Sequence, residues 1–191
     1  MTQPLLWTVD GILTPAECDR LLEELRERPW EAAPITTPRG PVMRPDLRNN
    51  QRYMVDDPPL AQKLFERVRP SLPPRMKGRE VLSANERLRY YRYEPGQQFG
   101  LHADGWFERN PRERSLLTFM VYLNDDFTGG STDFPTLGRS VTPKAGRALL
   151  FQHKLLHQGS VVQSGVKFVL RSDILYRTPT ALDLAPPGAE C

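Results

Sequence analysis

Ser115-Leu-Leu-Thr-Phe-Met-Val-Tyr-Leu-Asn124 is the stretch that decides the fold. It is almost continuously apolar, too short to cross a bilayer, and follows no helical period. A strand buried on both faces reads this way. Working downstream, Gly129-Gly130 turns the chain into Ser131–Phe134, and Ser140–Thr142 is a short extended piece. The turn Pro143-Lys144-Ala145-Gly146 leads into Ala148–Gln152, and Lys167–Tyr176 is rich in β-formers. Upstream, Arg87-Leu-Arg-Tyr-Tyr-Arg-Tyr93 is aromatic and extended and ends at Glu94-Pro95-Gly96. Seven or eight short strands separated by turns predict a sandwich or barrel of the jelly-roll kind.

The first seventy residues have a different period. Thr14-Pro15-Ala16-Glu17 is a helix start, with a capping threonine, proline at the first helical position and a glutamate to close the capping box. Leu21, Leu22 and Leu25 continue it as an apolar stripe until Pro29. Pro34–Asp46 reads as a long loop, and a second helix is expected from about Pro59 to Val68. The chain is thus predicted to be mainly β with flanking helices, an α+β arrangement in one domain. Residues 1–83 form the helical N-terminal flank, 84–177 the β core and 178–191 a tail.

Composition narrows the classes further. With 39% hydrophobic and 26% charged residues the chain is globular rather than disordered or membrane-spanning. A net charge of +3, partly in the arginine-rich stretch Arg39–Arg52, suits an acidic ligand but makes nucleic-acid binding an unfavoured expectation. Two cysteines, Cys18 and Cys191, do not make a disulfide framework, so a reducing cytoplasm is expected. Leu5-Leu6-Trp7 is too short to be a signal peptide core, so a soluble protein is expected. Nothing in the sequence bears on oligomeric state.

His102-Ala103-Asp104 places an imidazole and a carboxylate two residues apart, on one side of a strand, with Gly100 and Gly105 flanking them. Two histidines and one carboxylate on one face of an ion leave its other positions open, the arrangement of non-haem iron(II) oxygenases. His157 is the expected third ligand. His153 is its rival, but Lys167 lies ten residues beyond His157 and Arg171 fourteen, and both share a strand face with Val169. A lysine in the apolar setting Val-Lys-Phe-Val-Leu-Arg calls for an acidic ligand.

Taken together these residues resemble the 2-oxoglutarate and iron(II) dioxygenases, specifically the prolyl 4-hydroxylase-like branch. The resemblance covers roughly residues 84 to 177. It rests on Tyr93-Glu94-Pro95-Gly96 and Phe99 ahead of His102, Tyr122-Leu123-Asn124-Asp125 with Gly129-Gly130, and Pro143-Lys144-Ala145-Gly146 before His157. It closes with Gly165-Val166-Lys167-Phe168 and Arg171-Ser172-Asp173. The resemblance implies a double-stranded β-helix (jelly-roll, cupin-like) with the N-terminal helices packed on one sheet. It implies an oxidoreductase in which His102, Asp104 and His157 bind Fe(II) and carry catalysis. Lys167 would pair with the distal carboxylate of 2-oxoglutarate, with Tyr93, or alternatively Tyr91, hydrogen-bonding it. Thr118 and Met120 would line the same pocket, and Arg171 would aid or replace Lys167. O2 is the further co-substrate, and ascorbate stimulation follows from the same resemblance. The implied reaction hydroxylates a C–H bond while 2-oxoglutarate is decarboxylated to succinate and CO2. Gln158 stands where many relatives carry glutamate.

The substrate expected first is a peptidyl, prolyl-type residue in a peptide or protein; a free amino acid or other small molecule is the alternative. Nucleic-acid dealkylation ranks lower, because Asp173 and Leu175 stand where that branch would show asparagine and threonine. A zinc hydrolase or a non-catalytic cupin-like binding protein are the readings of different class. Candidates for the substrate pocket are Arg48, Asn50, Arg89 and Trp106, with Arg44, Asn49 and Phe107 nearby.

Overall fold

The computed structural model describes residues 5–37 and 39–180. Its frame is two antiparallel sheets. The larger runs, in spatial order, through Leu6–Val9, Ala148–Gln152, Glu113–Tyr122, Lys167–Arg177, Arg87–Tyr93, Gln51–Asp56 and Glu31–Ala32. The smaller has four strands in the order Arg139–Val141, Thr132–Phe134, His157–Gly159 and Phe99–His102. This is the jelly-roll architecture expected from the strand pattern.

Burial on both faces explains why the central strands scarcely alternate in sequence. Along Arg87–Tyr93, Leu88 and Tyr90 join the core under the helices, whereas Tyr91 and Tyr93 join a second core between the sheets. Glu113–Tyr122 divides likewise: Leu117, Phe119 and Val121 turn one way and Met120 and Tyr122 the other. Lys167–Arg177 sends Leu170 and Ile174 to the helical side and Val169 to the inter-sheet side. Lys167 and Arg171 therefore face the interior between the sheets.

The helices cover the outer face of the larger sheet. Helix α1 spans Pro15–Leu25, and Thr14 caps it by the expected reciprocal bonds with Glu17. Helix α2 spans Pro58–Val68, with Asp57 accepting the Leu60 N–H at 3.0 Å. The Glu17 carboxylate ties the two together through Lys63 and Arg67, each at 2.7 Å. Cys18, Leu25, Leu64, Phe65 and Val68 share one core with Leu88, Phe119 and Leu170. Among the described residues no helix is long and apolar enough to cross a membrane.

Three expectations need correction or restriction. The first 83 residues are not helical alone. Leu6–Val9 and Gln51–Asp56 pair into the larger sheet, with Arg79–Ala84 beside Lys167–Arg177. The expected loop Pro34–Asp46 contains a hairpin, Ile35–Thr37 against Gly40–Val42, which its prolines disguised in the sequence. Of the expected tail, residues 181–191 lie outside the described residues, Cys191 among them.

Candidate metal centre

His102 and His157 end and begin neighbouring strands of the smaller sheet and are register partners across the antiparallel ladder. Their ring centroids stand 4.2 Å apart. Each ring is oriented by the backbone: Nδ1 of His102 lies 2.8 Å from the Gly100 carbonyl, and Nδ1 of His157 lies 2.9 Å from that of Leu155. A carbonyl only accepts, so both Nδ1 atoms carry the proton and both Nε2 lone pairs are free. Asp104 lies opposite, with Oδ1 3.7 Å from Nε2 of His102 and Oδ2 3.7 Å from Nε2 of His157. One ligand atom from each of the three residues lies within 4.8 Å of the others.

The electrostatics suit a metal. Burial lowers the His102 imidazole to about 4, aided by neighbouring His157, and burial lowers His157 as well. Both rings are thus neutral at neutral pH. Burial alone would raise the Asp104 carboxyl, but Arg171, His157 and His102 hold it well below the usual carboxylate range. Neutral imidazoles with free lone pairs and an ionised carboxylate are a donor set that fits iron(II).

A hydrogen-bond chain of one direction holds that carboxylate. Thr118 Oγ1 donates to Asp104 Oδ2 at 2.6 Å, so it accepts from His153 Nδ1 at 2.9 Å. His153 Nε2 must then accept from Ser115 Oγ at 2.8 Å, and Ser115 Oγ accepts the Phe107 N–H at 2.9 Å. His153, the rival ligand of the sequence reading, is a buried orienting residue. Thr118 was expected to line the co-substrate pocket; its hydroxyl instead serves Asp104 and His153. Arg171 approaches the other carboxylate oxygen, with Nη2 3.0 Å from Asp104 Oδ1.

Two cavities meet at the centre. The inner one, about 30 Å³, is lined by Tyr91, Tyr93, Met120, Thr132, Lys167 and Arg171 together with the His102, Asp104 and His157 set. Lys167 is 2% exposed, and its Nζ donates to the Gly130 carbonyl at 2.6 Å. The rings of Tyr93 and Tyr122 lie 5.2 and 5.5 Å from it. Burial without a paired carboxylate lowers its ammonium to about 7, Asp133 offsetting part of the effect from a distance. Gly130 has φ +63°, and a Cβ there would stand 3.2 Å from Lys167 Cδ, so glycine gives the lysine stem its room.

The outer cleft, about 400 Å³, is lined by Arg48, Arg89, Trp106, Phe107, Arg171 and Asp173, among others, and reaches His102 and Asp104. Trp106 is 60% exposed at its rim, with Arg114 over its ring. Asn50, expected in the substrate pocket, does not line the cleft. Its side-chain Oδ1 accepts from Arg48 Nε at 2.9 Å, and its Nδ2 donates to the Gln51 carbonyl. Arg44 is paired with Asp46, and Asn49 accepts the Gln98 N–H. Sequence reading missed Tyr122 and Thr132 at the site, and weighed His153 only as a rival ligand rather than as the partner of Ser115 and Thr118. The inward register of Met120 pointed to Tyr122; Thr132 had no sequence signal.

The family model of the 2OG-Fe(II) oxygenase superfamily matches residues 88–172, the segment that supplies the donor set, Tyr91, Tyr93 and Lys167. Over that segment the chain is similar to the 2-oxoglutarate, iron(II) oxygenases, and its relatives are prolyl 4-hydroxylases. It is 25% identical over 183 residues to a putative prolyl 4-hydroxylase of Acanthamoeba polyphaga mimivirus, covering 85% of this chain and 71% of that one. It is 26% identical over 194 residues to prolyl 4-hydroxylase 1 of Arabidopsis thaliana, covering 86% and 66%. Its fold matches the viral collagen prolyl hydroxylase of Paramecium Bursaria Chlorella virus-1, in complex with 2-oxoglutarate. There the TM-score is 0.60 at 24% identity, over 90% of this chain and 96% of that one. The likeness to iron(II), 2-oxoglutarate oxygenases agrees with the His102, Asp104 and His157 donor set, which could hold such a metal.

Proposed function

We propose that this protein is an iron(II), 2-oxoglutarate oxygenase that hydroxylates a prolyl-type residue of a peptide or protein, with His102, Asp104 and His157 holding the iron. The observation that carries the ligand assignment is the pair of backbone-locked histidines, whose free Nε2 atoms converge with Asp104. The prolyl preference is supported by relatives named prolyl 4-hydroxylases and by an open cleft beside the metal ligands.

Iron with 2-oxoglutarate and O2 supplies the oxidising chemistry, decarboxylating the co-substrate to succinate and CO2 as a C–H bond is hydroxylated. The chain's own residues bind and orient. Lys167, with the Tyr93 ring 5.2 Å away, would hold the distal carboxylate of 2-oxoglutarate. The inner cavity is small for a diacid, so side chains must shift on its entry. Lys167, turned onto the Gly130 carbonyl by a long rotatable stem, is the one built to do so. Thr118 and Arg171 fix the Asp104 carboxylate from its two oxygens. The outer cleft receives the substrate, Trp106 and Phe107 forming one rim.

A zinc hydrolase on the same donors would leave the buried, carboxylate-free Lys167 without a purpose. Adding 2-oxoglutarate to the anaerobic Fe(II)-loaded protein separates the readings. A weak visible charge-transfer band, abolished in His157→Ala and weakened in Lys167→Ala, is the expected result. Bound iron without a band would overturn it.

A further inference from the structure

Two guanidinium groups in the outer cleft, Arg48 buried and Arg171 largely so, flank the Tyr91 hydroxyl and each keep one N–H nitrogen without a hydrogen-bond partner among the described residues. Arg48 is 6% exposed, and its Nε and Nη1 are held by neutral acceptors, Asn50 Oδ1 at 2.9 Å and the Pro34 carbonyl at 3.1 Å. Its Nη2 has no partner. The guanidinium lies over the rings of Phe99 and Tyr91, 4.2 and 4.7 Å from their centroids, so its orientation is set before any ligand arrives. Arg171 gives Nη2 to Asp104, and its Nε also lacks a partner. A charge withdrawn from water needs a counter-charge, and a fixed fork of N–H groups suits a carboxylate.

We propose that Arg48 and Arg171, with Arg89 beside them, form a carboxylate-binding subsite in the outer cleft, and that the substrate hydroxylated here carries the carboxylate it takes. The inference rests on the oxygenase reading above and names the chemical class of its substrate.

Several observations agree. The subsite reaches beyond the co-substrate pocket, although Arg171 lines both cavities. Lys167 does not line the outer cleft, and Arg48 does not line the inner cavity. Charge in the cleft is unbalanced, since Arg48, Arg89 and Arg171 face only Asp104 and Asp173; Arg52 is already paired with Glu31. A divalent metal ion and a dicarboxylate cancel each other, so loading the centre leaves that surplus in place. Burial alone would raise the Tyr91 hydroxyl, but Arg171, Arg48 and Arg89 outweigh it and leave the phenol below its ordinary value. Positive potential is therefore focused where the cleft meets the metal ligands. Asp173 Oδ1 is also without a hydrogen-bond partner, an acceptor for an N–H beside the bound carboxylate.

The carboxylate has three sources, an acidic side chain near the target residue, the terminus of a chain, or a free amino acid. Calorimetric titrations of the full chain loaded with Mn(II) and 2-oxoglutarate distinguish them. The probes are Ac-Asp-Pro-Gly-NH2, Ac-Gly-Pro-OH and free proline, with Ac-Gly-Pro-Gly-NH2 as the neutral reference. At least one anionic probe should bind about tenfold more tightly than the reference. That preference should disappear in Arg48→Gln, survive in part in Arg48→Lys and shrink with added salt. Equal binding of all four, or no binding of any carboxylate probe, overturns the subsite. The Fe(II), 2-oxoglutarate band is recorded on the same preparations. A band without carboxylate preference refutes the subsite alone, and preference without a band refutes the oxygenase reading alone.

Discussion

Lys167 stands directly across from Tyr93 in the antiparallel pairing of their strands, its ammonium 5.2 Å from the centre of the tyrosine ring. Both residues line the inner cavity, and if Lys167 receives the co-substrate as proposed, binding should be sensitive to pH. Burial brings the lysine to about 7 in the free protein. An incoming carboxylate needs the charged form, so above pH 7 binding must take up a proton. The dissociation constant for 2-oxoglutarate should be flat below pH 7 and rise about tenfold per unit above it. Titrations of Mn(II)-loaded protein from pH 6 to 9 test this, and a constant that ignores pH sinks the Lys167 assignment.

The same lysine affects stability without ligand. Its folded value lies below its ordinary 10.5, so between about 7 and 10.5 the unfolded chain holds more protons than the folded one. Stability from this group therefore rises with pH across that window and is lowest below pH 7, where the buried charge is uncompensated. Lys167→Met should raise the melting temperature at pH 6.5 and flatten its pH dependence. A lower melting temperature at pH 6.5 would contradict the desolvation argument.

Gly130→Ala tests the lysine's room. The substitution puts a Cβ at φ +63°, 3.0 Å from the Phe127 ring and 3.2 Å from Lys167 Cδ. A loss of about 1–3 kcal/mol in urea unfolding is expected from the backbone conformation alone. Affinity for 2-oxoglutarate should fall with it; unchanged affinity would show that the lysine stem does not depend on Gly130.

Thr118→Val removes the donor to Asp104 and the acceptor for His153 in one step. Two buried polar groups lose their partner, at about 1–3 kcal/mol each. Affinity for Co(II) or Mn(II) should drop about 10- to 100-fold, the usual effect of removing a group that orients a metal ligand. Wild-type affinity in a folded Thr118→Val protein would exclude the orienting role.

His157→Ala and His153→Ala separate ligand from support. The first should bring metal content after dialysis close to zero. The second should keep most of the metal while lowering the melting temperature, because Ser115 and Thr118 lose their common partner. The reverse pattern would exchange the two assignments.

Much of this was legible in the sequence. The strand Arg87–Tyr93 and the helix beginning at Pro15 run as read, because punctuation by Gly, Pro and a capping threonine is local. The His102, Asp104 and His157 set was legible from the His-x-Asp spacing and the Lys167 spacing, although Asp104 lies past the end of the strand Phe99–His102 and not on it as expected. Gln51–Asp56 was not, since Gln-Arg-Tyr-Met-Val-Asp shows little apolar signal and becomes a strand only through pairing with Arg87–Tyr93. Asn50 was misplaced for a related reason: residue type suggests a polar pocket lining, but only three dimensions show its amide occupied with Arg48. His153 joins Ser115 and Thr118 across distant sequence, which no local pattern reveals.

The register pairing of His102 with His157 has a topological consequence. An ion held by both would join the two ends of the chain segment between residues 102 and 157, as a reversible covalent bridge would. An ion that binds the folded site and not the unfolded chain stabilises it in proportion to the logarithm of free metal, about 2.7 kcal/mol at a hundredfold excess over its dissociation constant. The smaller sheet is made of strands of only three or four residues. Its integrity should therefore track metal supply, so that iron starvation loosens this layer before the helix-backed sheet behind it.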